Sequence, residues 1–278
     1  MKYTLLKIFL FTMINISILY AEGSTPVRIM PLGDSITYDN RASDIEKPRP
    51  RGKRTGYRSH LWYKLNDVGY NADFVGSLQA GYDIVPPFDP DNEGHPGWTS
   101  YDIAEHAYDY MVNNRPDIVL LHIGTNDRTT TNPQGVANIL DEIDYYEENY
   151  DTHVKVFVAL IIDREEHDGR ITIFNNRLDE ILQQRISLGD DIVIVDMYHN
   201  AGLTVDDYAD NTHPNDNGYH KMANVWFNAL MQHKNINSNL RTFPSSVVPT
   251  SYIVSVTYDD THNKVTFTTE IPDDGIQF

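Results

Sequence analysis

The sequence predicts an α/β fold: a parallel sheet covered by helices on both faces, three layers deep, over residues 22–235. Two observations predict it. Short apolar runs alternate along the chain with longer segments of helical periodicity, which is the order of successive βαβ units. The strand runs are also continuously apolar, as in Lys155–Ile162 (KVFVALII), rather than alternating, as expected when both faces of a sheet are buried. In such a sheet, right-handed crossovers place functional groups at the carboxyl ends of the strands.

The elements follow in order. Residues 1–21 stand outside the fold: Lys2 and Lys7 precede a mostly apolar run from Ile8 to Tyr20, and Ala21 offers a small residue for cleavage. This reads as a signal peptide, with a secreted or periplasmic mature chain starting near Glu22. The alternative, a membrane anchor, would need a run of ~20 residues. Val27–Leu32 is the first strand. Tyr57–Val68 is helical through Tyr57, Leu61, Trp62 and Leu65, and Asp73–Gly76 gives a brief strand. Tyr101–Met111 is helical, Asp117–Ile123 (DIVLLHI) a strand, Gln134–Asn149 a helix and Lys155–Ile162 a strand. Arg170–Leu188 is a helix, Asp191–Met197 (DIVIVDM) the last strand and Asn215–His233 the last long helix. Residues 236–278 change in texture: a polar linker, then two β-rich runs, Tyr252–Tyr258 and Lys264–Glu270, that read as a hairpin. A lone hairpin is marginal in water, so this tail either docks on the main domain or begins a second β module.

Composition narrows the function. The chain of 278 residues carries 40 Asp+Glu against 22 Lys+Arg, a net charge of −18. Nucleic acid and anionic membrane are therefore disfavoured partners. The absence of cysteine excludes disulfides, thiolate metal sites and a cysteine nucleophile.

Three predicted strands end in reactive residues. Gly33-Asp34-Ser35-Ile36-Thr37 follows the first and Gly124-Thr125-Asn126-Asp127 follows the 117–123 strand. Asp210-Asn211-Thr212-His213 lies between the last strand and the last helix. Together they form an inventory for acyl transfer. A serine hydroxyl needs a base, and a histidine fits; the histidine needs an orienting carboxylate, and an Asp three residues earlier can supply it. An Asn amide can donate to a developing oxyanion.

These blocks resemble the SGNH (GDSL) hydrolases. The resemblance implies Ser35 as nucleophile, Asp210 and His213 as the rest of the triad, and an oxyanion hole from Ser35, Gly97 and Asn126. Gly97 comes from the stretch Glu93–Ser100 (EGHPGWTS), with Gly94 as the second choice. Gly56-Tyr57-Arg58, Asp73–Ser77 (DFVGS), EGHPGWT and the run HPNDNGYHKMANVWFNAL from His213 are further similar to the acetylxylan-esterase-like branch, carbohydrate esterase family three. That implies a flavodoxin-like parallel five-stranded sheet of order 2-1-3-4-5. It also implies an esterase that requires no cofactor, acting on acetylated polysaccharide or oligosaccharide; no residues are singled out as metal ligands. Rivals are a lipase, lysophospholipase or thioesterase of the same superfamily, and a noncatalytic glycan-binding module.

Other residues read more plainly. Asp34 is a turn scaffold rather than an acid; Asp34 and Trp98 are candidate substrate contacts, and Trp98 equally suits the core. His95 reads as structural or rim-lining and His122 as a satisfied core group. Asp89–Gly94 faintly resembles a calcium loop, but Ser100 stands where the closing Glu would be. The chain departs from the family after Thr37, where Tyr38-Asp39-Asn40 opens a long insertion to about Gly56. Lys47, Arg49, Arg51, Lys53, Arg54 and Arg58 make this a basic run, either a solvated loop or a contact for an anionic glycan.

Overall fold

A computed structural model describes residues 25–238 and the backbone of 252–259 and 264–270. The predicted signal peptide and most of the linker lie outside the described residues. The described residues start with β1 (Val27–Gly33), α1 (Ser35–Tyr38), α2 (Ser43–Glu46) and α3 (Gly56–Asp67). Next come β2 (Ala72–Phe74), β3 (Leu78–Gln79), β4 (Asp91–Gly94) and α4 (Ser100–Asn114). Then follow β5 (Ile118–His122), α5 (Gln134–Tyr150), β6 (Lys155–Ala159), α6 (Gly169–Leu188), β7 (Ile192–Val195), α7 (Met197–Asn200) and α8 (Asp216–Ser238). In the second unit, Leu230–Phe278, β8 (Tyr252–Asp259) and β9 (Lys264–Glu270) pair antiparallel.

The five predicted strands pair in parallel in the order β2-β1-β5-β6-β7, the 2-1-3-4-5 arrangement. The register aligns apolar residues across the sheet: Ile29 with Phe74, Leu32 with Leu121, Val158 with Ile194. Met30, Leu32, Val119, Leu121, Val156 and Val158 point to one face and pack with residues of α4, α5 and α6, such as Ile103, Ile139 and Phe174. The alternate residues Ile29, Leu120 and Phe157 are equally buried and face the other way, toward the layer of α3 and α8. There the Tyr57 and Trp226 rings lie 6.0 Å apart. Among the described residues, no helix is long and apolar enough to cross a membrane.

The sheet is wider than the five strands expected. Two short strands, β3 and β4, join it, with β4 parallel to the end of β1 and β3 antiparallel to β4. The sequence of β4, DNEG, has no β propensity. Its backbone is extended because Glu93 and Gly94 dock on Leu32 and Gly33, and because buried side chains satisfy the local amides: Asn92 Oδ1 accepts the Gly94 N–H at 3.0 Å. One edge of β1 is thus shared, with β2 along its first half and β4 along its end. Ile29 O accepts from Val75 N and Gly33 O from His95 N on that edge. Pro31, midway between them, turns its N–H-less nitrogen toward the gap between β2 and β4. That placement explains how a proline is tolerated inside a central strand.

Candidate active site

The residues that sequence reasoning singled out converge at the carboxyl ends of β1 and β5 and on the turn before α8. Gly33 ends β1 where the chain crowds β5: a Cβ there would sit 2.3 Å from His122 O and 2.5 Å from Thr37 Oγ1. The turn that follows presents Ser35 as the first residue of α1, capped by Asp34, whose Oδ1 accepts the Ile36 N–H at 2.9 Å.

Ser35 Oγ lies 2.9 Å from His213 Nε2. On the other side of the ring, His213 Nδ1 lies 2.8 and 3.0 Å from the two Asp210 oxygens. A local turn builds this pair. Asp210 Oδ1 accepts the N–H groups of Thr212 and His213, both at 2.9 Å, and Ala209 N–H bonds back to His213 O at 2.8 Å. Asp210 Oδ2 accepts the Ala42 N–H at 2.8 Å, a contact from the insertion. Burial opposes ionisation of Asp210, but the N–H groups of Ala42 and Thr212 and the neighbouring His213 outweigh it and hold the carboxyl below its usual value.

Asn126 stands on the turn after β5, and its amide donates to Trp98 O at 2.9 Å. This bond ties the turn to the Gly97–Trp98 loop, which His95 N–H ties in turn to Gly33 O at 2.8 Å. Gly97 adopts φ +87°, a conformation that favours glycine, and is exposed. Gly94 is buried and its N–H is taken by Asn92, so of the two candidate glycines Gly97 is better placed to donate. The arrangement offers a hydrogen-bonded Ser–His–Asp chain beside an amide, a glycine N–H and the N–H of a helix's first residue, which has no intrahelical partner.

Two candidate substrate contacts meet a different environment. Asp34 has no exposed surface with which to touch a substrate. This speaks against the substrate contact expected of it, and burial pushes its carboxyl up to about 7. Trp98 is half-buried against the core and stacked on His95, with ring centroids 4.2 Å apart. His95 is held by the buried Glu93, whose Oε1 lies 2.7 Å from Nε2. His122 is fully buried; burial lowers its pKa to about 4, and its Nδ1 lacks a hydrogen-bond partner among the described residues. It is therefore only partly satisfied.

The basic run is the largest difference from expectation. Arg58 is fully buried and donates to the carbonyls of Thr37, Arg54, Ala80 and Pro90. Arg49 pairs with Asp39 and Asp44 at 2.9 and 2.8 Å, and the buried Arg54 with Asp44 at 3.2 Å. These arginines hold the insertion from inside; only Lys47, Arg51 and Lys53 are exposed.

Two residues near the site escaped sequence reasoning. Asp127 is buried and caps α4, accepting from Ser100 N at 2.9 Å and Ser100 Oγ at 2.5 Å. Arg164, just past β6, donates to Thr125 O at 3.1 Å and Thr212 Oγ1 at 2.5 Å. It joins the residue before Asn126 to the residue before His213. Its position after a strand end was the available signal.

The chain is 29% identical over 237 residues to a multidomain esterase of Ruminococcus flavefaciens, covering 76% of this chain and 29% of that relative. The chain thus spans under a third of that curated relative's length. Among solved structures, it resembles a Clostridium thermocellum family 3 carbohydrate esterase (TM-score 0.61, 29% identity, 77% of this chain and 99% of that one). It also resembles a carbohydrate esterase family 3 protein of Talaromyces cellulolyticus (TM-score 0.62, 30% identity, 76% and 99%). The GDSL-like lipase/acylhydrolase family profile matches residues 29–226, most of the described chain and all the converging residues, and the protein belongs to that family.

Proposed function

We propose that this protein is a secreted serine esterase that removes acetyl or other short acyl groups from polysaccharide. The observation that carries the reading is the unbroken hydrogen-bonded chain from Ser35 through His213 to Asp210. The resemblance to family 3 carbohydrate esterases supports the substrate class. Residues 22–235 are the catalytic domain in this reading, residues 1–21 the export signal and 236–278 a linker and β tail.

The reaction is a double displacement. Ser35 Oγ attacks the ester carbonyl carbon while His213 Nε2 takes the hydroxyl proton. Asp210 holds the ring in the tautomer with the proton on Nδ1 and stabilises the imidazolium that forms. The Ser35 and Gly97 N–H groups and the Asn126 amide receive the oxyanion; loss of one such donor costs roughly 100-fold or more in turnover. Collapse expels the sugar alkoxide, which takes the proton from His213 and leaves acyl-Ser35. Water, deprotonated by His213, then attacks the acyl-enzyme and releases the carboxylic acid and free serine. No cofactor enters any step.

The test is acetate release from acetylated xylan, pectin and chitin oligomers, alongside simple esters of two to eight carbons. Ser35→Ala is expected to lower turnover by on the order of 10⁴-fold or more. Activity that survives the substitution overturns the nucleophile. A preference for the longest acyl chains replaces the deacetylase reading with a lipase-type one.

A further inference from the structure

The mechanism above leaves three arginines unused. Arg128, Arg164 and Arg170 line an open cavity of about 370 Å³ at the carboxyl ends of β5 and β6, together with Glu166, Asp168 and Asn211. In a chain with 40 acidic and 22 basic residues, a cavity where arginines outnumber carboxylates is a local reversal of charge.

The carboxylates present do not use up that charge. Asp168 is committed to α6: it caps the helix through the Arg170 N–H at 3.0 Å and takes both ends of the Arg170 guanidinium, at 3.1 and 2.7 Å. Glu166 is exposed at the rim and offsets part of the charge. Arg164 spends its two terminal nitrogens on Thr212 Oγ1 and Thr125 O. Its Nε is buried, 3.5 Å from Asp168 Oδ2 and outside hydrogen-bond geometry. Burial first, and then the like charge of Arg128, push the Arg164 pKa down. Arg128 is exposed. Like-charged guanidinium groups held together gain from an anion placed among them, and a planar carboxylate matches their fork geometry.

The cavity adjoins the active site through the chain. Asn211 on its wall lies two residues before His213, and Arg164 is bonded to the residues preceding Asn126 and His213. We propose that the Arg128–Arg164–Arg170 cavity is a subsite for a carboxylate on the acylated glycan, which makes the substrate class a uronic-acid-bearing polysaccharide. This rests on the esterase reading and deepens it.

The test reads binding apart from hydrolysis. Ser35→Ala protein is titrated calorimetrically with an acetylated xylo-oligosaccharide bearing a glucuronic acid branch and with its neutral counterpart. The acidic oligosaccharide is expected to bind roughly fivefold to tenfold tighter. Adding Arg128→Gln or Arg170→Gln should reduce that ratio toward one, as should raising salt to about 0.5 M. Equal affinities, or a ratio that the substitutions leave intact, overturn the subsite whatever the hydrolysis assay gives. Failure of the esterase reading would show separately, as wild-type protein that releases acetate from neither compound.

Discussion

Two groups of arginines in this chain meet different fates. Arg49, Arg54 and Arg58 sit close together in sequence, in the run that first suggests a basic surface. They turn inward onto Asp39, Asp44 and backbone carbonyls. Arg128 and Arg164 lie on the loops after β5 and β6 and Arg170 in the first turn of α6, and they come together around a cavity. Density of charge along a sequence therefore does not say where the charge points. The insertion carries its own carboxylates and exposes carbonyls that a guanidinium can satisfy, so its cations are consumed locally. The cavity lining sets two carboxylates, Glu166 and Asp168, against three guanidinium groups.

The largest effect expected from this contrast is on stability. Arg58→Ala leaves four carbonyls without their donor in a fully buried space and should cost about 3–5 kcal/mol by urea unfolding. Arg128→Gln, on the exposed rim, should stay within about 0.5 kcal/mol. A loss under about 1 kcal/mol for Arg58→Ala would erase the distinction.

Next is a buried charge of opposite sign. Asp34 has no cationic partner at hydrogen-bond distance, and its Oδ2 is unpaired among the described residues. Burial raises its pKa from 3.8 to about 7, so the folded state holds the proton over a range where the unfolded chain has released it. Its contribution to stability is full below pH 3.8 and is lost as pH rises to about 7. Asp34→Asn keeps a capping side chain and removes the titration. The variant's stability relative to wild type should improve between pH 5 and pH 8 by on the order of 2 kcal/mol, read from urea midpoints. A difference that does not change with pH would mean that Asp34 is already ionised at pH 5.

The last effect expected is on rate, with a modest cost in stability. Arg49→Ala removes one of the cations that organise the insertion, at about 1–2 kcal/mol. Loosening the insertion also loosens the Ala42 N–H that holds Asp210 Oδ2. The kcat for a small acetyl ester should fall roughly tenfold with KM little changed. An unaltered kcat would show that the insertion supports the fold without supporting the triad.

Much of the architecture was legible because hydrophobic burial writes itself into the sequence. The runs at 117–123 and 155–162 are apolar enough to announce central strands, and the helices between them keep their periodicity. The Ser35, Asn126 and Asp210–His213 blocks were legible as strand-end clusters of reactive residues, and the structure brings them together. What stayed hidden depends on partners distant in sequence. β4 is a strand only because β1 offers it an edge. Asp127 caps a helix that begins at Ser100, and Arg164 bridges residues 39 and 48 positions away. The inward turn of the basic run depends on where Ala80 and Pro90 place their carbonyls.

The shared edge of β1 has a consequence for how this chain can change. Between β3 and β4 the chain leaves the sheet and returns, and the excursion closes at a neck where Ala80 N–H meets Pro90 O at 3.1 Å and Arg58 binds the Ala80 and Pro90 carbonyls. Beyond the neck the segment is tethered at Asp83, whose N–H donates to Gly52 O at 2.9 Å, and reaches solvent at Val85, 93% exposed. Closing a loop costs entropy that grows only with the logarithm of its length, about 0.6 kcal/mol per doubling. Insertions at the tip are therefore absorbed before they reach β4, and the Gly97 turn keeps its place beside Ser35. The stretch just upstream of the Gly97 turn is thus a place where the protein can gain or lose sequence, and with it new surface, without moving the residues around Ser35.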